Sequence, residues 1–75
     1  MTYIVAIIHN NSLGKVISVS SVDDGKDVIK TVSEMLFGRA LNAEELNMLE
    51  EYNEVYKEDD PDNLYCISLG VVEKG

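Results

Sequence analysis

The chain has 75 residues and a formal net charge of −8, from 14 Asp and Glu against 6 Lys and Arg, with one His and one Cys. That acidity works against binding phosphate backbones or anionic lipid, which would repel it, and makes a basic protein surface the complementary partner. A hydrophobic content of 45% excludes intrinsic disorder, and a lone Cys66 excludes an internal disulfide and suits a reducing compartment.

One domain spanning residues 1–75 is the expectation, with a stability on the order of 4–11 kcal/mol. No basic segment followed by a long apolar run opens the chain, and no apolar stretch approaches the roughly 20 residues that span a bilayer. A cytoplasmic protein without membrane contact is expected.

Residues 2–9 (TYIVAIIH) form an almost unbroken β-branched and aromatic run, which predicts a central strand apolar on both faces. Residues 10–15 (NNSLGK) read as a turn. Residues 16–20 (VISVS) then alternate as a half-buried strand, with Ile17 and Val19 on one side and Ser18 and Ser20 on the other.

A helix follows, with Ser21 as N-cap, Asp23 and Asp24 at the positive end of its dipole, and Gly38 as its stop. Val28, Ile29, Val32, Met35 and Leu36 make its expected buried stripe. Gly25 is expected to weaken the first turn by up to about 1 kcal/mol.

The sequence Leu41-Asn42-Ala43-Glu44-Glu45-Leu46 predicts a second helix from Ala43: Asn42 caps, Glu45 completes a capping box, and Leu41 meets Leu46 as a hydrophobic staple. Continued to residue 58, this helix carries Met48, Leu49, Tyr52, Val55 and Tyr56 on one side and Glu50, Glu51, Glu54 and Glu58 on another. Pro61 bars its continuation. Residues 64–72 (LYCISLGVV) return to strand, with Tyr65, Ile67, Leu69 and Val71 opposite Cys66, Ser68 and Gly70.

The predicted fold is α+β with element order ββααβ: a three-stranded sheet carrying two antiparallel helices on one face. An up-and-down helix pair brings the last strand in parallel to the first, for a mixed sheet of order 2-1-3. The all-antiparallel order 1-2-3 is the alternative.

No catalytic, cofactor or metal signature emerges. His9 has no second ligand or nucleophile nearby in sequence and reads as a solvent-facing turn residue. Cys66 reads as a packing residue. Asp59, Asp60, Asp62 and Asn63 lack the Gly and Glu spacing of a calcium loop and read as a soluble helix stop. The charge distribution is more informative. Residues 44–62 hold nine acids and one base, so this quarter of the chain carries the whole net charge. A solvated face is the ordinary reading of such a run. Against it, Glu50–Glu54 and Glu54–Glu58 would be like-charge pairs at i, i+4, each destabilising a helix by about 0.2–0.5 kcal/mol.

The functional expectation is therefore a non-enzymatic binding module. It docks the ridge of Glu50, Glu51, Glu54 and Glu58, with Asp59, Asp60 and Asp62 of the following loop, on a basic protein surface such as a nucleic-acid-binding site. In size, acidity and single-domain organisation the chain is similar to the small inhibitors that bacteriophages make against host nucleases and defence systems. It shares no motif with them. Two other classes stand beside this reading: a small homo-oligomer that sequesters a small ligand between subunits, and an assembly or regulatory subunit. The sheet face turned away from the helices is a second candidate surface. With Ile4, Ala6, Ile8, Ser18, Ser20, Cys66 and Ser68 on it, a homodimer is expected there.

Overall fold

The computed structural model describes residues 2–58 and 61–72. Strands β1 (Thr2–His9) and β2 (Ser12–Val19) are followed by helices α1 (Val22–Phe37) and α2 (Ala43–Tyr52), then by strands β3 (Glu54–Lys57) and β4 (Tyr65–Val72). The fold is α+β, with a four-stranded, fully antiparallel sheet in the order β2-β1-β4-β3. The last strand does lie beside the first, but antiparallel to it. The cause is the additional strand β3, which reverses the chain once more after the helices. The expected three-stranded mixed sheet gives way to four antiparallel strands.

Ile29 of α1 and Leu49 of α2 share one buried cluster with Val5, Leu41, Val55 and Ile67, so both helices cover the same face of the sheet. Strand alternation sends Tyr3, Val5, Ile7, Ile17, Val19, Ile67 and Leu69 to that side. Ile4, Ala6, Ile8, Cys66, Ser68 and Gly70 go to the other.

The β1–β2 connection is tighter than the predicted turn over residues 10–15. Asn10 and Asn11 both take left-handed φ values, 51° and 66°, and alone make the two-residue hairpin loop. Asn adopts this conformation more readily than most residues, and its twist matches that of the flanking strands. Gly14 lies in β2 where the register shifts between Ile7 and Ile8, so it marks a bulge. The hairpin tip is pinned to the chain entering β4. Asn10 N–H donates to Leu64 O at 2.8 Å, Leu64 N–H donates to Asn10 Oδ1 at 2.9 Å, and Asn10 Nδ2–H donates to Asp62 O at 3.0 Å. His9, expected to face solvent, is half-buried: its ring stacks on Tyr65 with centroids 4.5 Å apart, and its Nε2 lies 3.1 Å from Asn63 Oδ1.

α1 begins and ends as its caps require. Ser21 Oγ accepts from Asp24 N–H at 3.2 Å, and Gly38 closes the helix at φ 70°. Its buried face is rotated from the expected stripe. Gly25, Ile29 and Ser33 are buried, whereas Met35 is 76% exposed and Leu36 is exposed. Gly25 explains the rotation, because a Cβ there would stand 2.6 Å from Leu69 Cδ1. The missing side chain lets α1 approach β4 along this line. The first turn is accordingly intact.

α2 starts with the full capping box: Glu45 N–H donates to Asn42 Oδ1 at 2.8 Å, and Asn42 N–H donates to Glu45 Oε1 at 3.0 Å. Arg39 adds a two-pronged ion pair to the same carboxylate, at 2.6 and 3.0 Å, and Glu45 is buried beneath it. Leu41 enters the core, while Leu46 stays exposed.

The expected helix to residue 58 stops six residues early. Asn53 turns left-handed at φ 55°, its N–H donates to Leu49 O, and its carbonyl accepts from Leu69 N–H at 2.9 Å. From there Glu54–Lys57 pairs with β4, with Val55 opposite Ile67 and Tyr56 opposite Cys66. The strand puts Val55 in the core at 0% exposure and separates the carboxylates that a helix would stack. It also covers the edge of β4 that a three-stranded sheet would leave open. Tyr52 and Tyr56, expected in the core, are exposed instead.

Candidate functional site

Because α2 ends at Tyr52, the ridge of Glu50, Glu51, Glu54 and Glu58 does not exist as one helix face. Glu50 and Glu51 stay on α2, where Glu50 lies 3.5 Å from Lys26 of α1. Glu54 is in β3 and Glu58 directly follows it. Asp62 sits in the turn whose carbonyl receives Asn10, while Asp59 and Asp60 lie outside the described residues. The acids expected to act together thus fall into two groups on different elements.

The second group gathers around a residue that the helical pattern predicts to lie in the core. Tyr56 is 40% exposed on the outer side of the sheet, with Glu54 and Glu58 two residues away on either side. Strand alternation turns Glu54 to the same side as Tyr56, and sends Lys57 toward the helix side with Val55. The phenol is held above its ordinary 10.0 first by the charge of Glu54, with further contributions from slight desolvation, Cys66, Glu58 and Tyr52. Burial, and then Glu54, also pushes the neighbouring Cys66 thiol above 9.0.

Tyr56, Lys57 and Glu58 form the shared wall of two shallow depressions. One, of about 330 Å³, is bounded by Ile8, Asn11, Leu64 and Cys66. The other, of about 320 Å³, is bounded by Arg39, Asn42, Glu44 and Met48. An aromatic face between carboxylates, open to solvent on both sides, can take an ammonium or guanidinium group by cation–π attraction and ion pairing. The signal available in sequence was the alternation Glu54-Val55-Tyr56-Lys57, which fits a strand as well as a helix over so short a length.

The second candidate surface is the outer sheet face. Ile4, Ala6, Ile8, Cys66 and Ser68 share it, and pairing places Ser18 opposite Ile4, Val16 opposite Ala6 and Leu13 opposite Ile8. Ile4 lies across Gly70, where a Cβ would stand 3.6 Å from Ile4 Cγ1. Ser20 does not belong to this set, because β2 ends at Val19 and the Ser20 hydroxyl donates to the Asp24 carboxylate at the start of α1.

Among the described residues no group of three or more His, Cys, Asp or Glu could hold a metal ion, and no helix is long and apolar enough to cross a membrane. Comparison with protein-family models, curated proteins and solved structures returns no match.

Proposed function

We propose that the protein is a non-enzymatic binding module that takes a Lys- or Arg-rich segment of another protein on the surface formed by Glu54, Tyr56 and Glu58. The observation that carries this reading is the exposed Tyr56 ring flanked by two carboxylates in the most acidic quarter of the chain. A basic side chain laid on the ring meets attraction from its face and from both neighbours. The wider field of Glu44, Glu51 and Asp62 steers the partner inward before contact. A basic groove that ordinarily receives nucleic acid has the matching charge, and occupying it would block its natural ligand.

The test is capture of partners from the native host, identified by mass spectrometry, followed by binding measurements with purified protein. Glu54→Gln with Glu58→Gln should slow association by about tenfold while leaving the fold intact, and added salt should weaken the parent complex. Tyr56→Ala should raise the dissociation rate. If these variants bind the captured partner as well as the parent does, the surface is merely solvated.

A further inference from the structure

We infer that the outer sheet face is the interface of a symmetric dimer, with a second copy of this chain packed face to face across β2, β1 and β4. Three features of the surface select this occupant. The outward residues of these strands carry no charge: Thr2, Ile4, Ala6 and Ile8 on β1, Leu13, Val16 and Ser18 on β2, Cys66, Ser68, Gly70 and Val72 on β4. Leu13 and Val16 are 65% and 47% exposed, and Val72 is exposed as well. A chain with a charge of −8 repels its own copies except where its acids are absent, and residues 1–22 contain none.

The extent of the face suits a weak dimer. Three eight-residue strands cover about 14 Å by about 27 Å, a footprint of roughly 400 Å² whose corrugated accessible area is larger. Standard interfaces take about 800 Å² per partner. Self-association weaker than that of a standard interface is expected, with the sheets stacked at the spacing of a β-sandwich.

Charge also selects the symmetry. A twofold axis running across the strands would stack β3 on β3 and bring Glu54 against its own copy. An axis parallel to β1 instead lays β1 over β1 and β2 over β4, so that β3 overhangs each rim with Glu54 and Glu58 in solvent. The dimer then presents two acidic rims on opposite sides of one sandwich.

Sedimentation of the full chain from micromolar to millimolar concentration tests this, with alkylation of Cys66 as a reporter of the covered face. A dimer is expected whose formation strengthens as salt screens the acids, the reverse of the dependence expected for a basic partner. Cys66 alkylation should slow severalfold as the dimer forms. Val16→Glu, at an exposed position that the monomer tolerates, should weaken association by about tenfold or more. Ala6→Glu, on the twofold axis, should do the same, and thermal unfolding of both variants at dilution confirms that they are folded. A monomer at millimolar concentration overturns the inference. So does a dimer in which Cys66 alkylation is unchanged, which would mean pairing through the β2 edge, and so does indifference to both substitutions.

Discussion

α1 and the stretch from Ala43 to Glu58 present similar amphipathic patterns, sixteen residues each, yet only the first is helical throughout. Both begin at a polar cap whose side chain reaches the backbone three residues on, so the start of each helix is decided locally. The ends differ. Gly38 stops α1 by its own conformational freedom, whereas Asn53 stops α2 where a sheet edge is waiting. Local chemistry sets where a helix can begin, and competition from the sheet decides how much of an ambiguous stretch it keeps.

Truncating Tyr52 and Val55 separates the two structures of this stretch. A helix through residue 58 would set Tyr52 and Val55 on one side and make both costly to remove. In the observed fold, Val55→Ala should lose about 2–3 kcal/mol, because its methyls fill the core opposite Ile67, and Tyr52→Ala should stay within about 0.5 kcal/mol. Chemical denaturation of the two variants decides it, and equal costs would restore the longer helix.

A smaller effect tests the rotation of α1. Ser33 is fully buried, and its hydroxyl has no hydrogen-bond partner. Ser33→Ala should therefore stabilise the chain by about 1 kcal/mol, through removal of an unsatisfied polar group and a gain in helix propensity. The expected stripe of Val28, Ile29, Val32, Met35 and Leu36 would leave Ser33 at its border, partly in water, and the gain would then shrink to a few tenths of a kcal/mol.

The third expectation concerns protons and carries no energy of consequence. Tyr56 should ionise above 10.0, and Glu54→Gln should bring it back toward that value. Phenolate absorbance measures this, with Tyr56→Phe identifying which of the four tyrosines is responsible. A phenol whose pKa is raised in the folded state favours folding below its unfolded value, and that contribution is lost as pH rises through the folded value. An unshifted Tyr56 would place Glu54 on the other side of β3.

Much of the fold was legible because it rests on short-range chemistry. Ser21, Gly38 and the Asn42–Glu45 box mark their termini through contacts within four residues. Strand alternation likewise sorted Ile17, Val19, Ile67 and Leu69 from Ser18, Cys66 and Ser68. The strand β3 was not legible, since four residues with Val55 and Tyr56 satisfy either period, and the preference was settled by β4, distant in sequence. The rotation of α1 was hidden for a related reason. Gly25 looked like a defect in a helix, and its use appears only when Leu69 is beside it. The candidate site inherits both difficulties: the acids were visible, but their grouping around Tyr56 depends on where α2 ends.

The position of β4 bears on how the molecule comes together. It is the last strand along the chain and yet a central one, between β1 and β3, with the hairpin tip at Asn10 latched to Leu64 across more than fifty residues. The β1–β2 hairpin can form as soon as it is synthesised. The strand that completes the sheet arrives only after both helices and β3, and it alone joins β3 to β1. During that interval β1 is open along one edge and apolar on both sides, the state most prone to pairing with another nascent chain. The acids that follow, concentrated between residues 44 and 62, join the chain just before β4 and give it a strong negative charge while that edge is still exposed. Like charge on two such chains opposes their pairing.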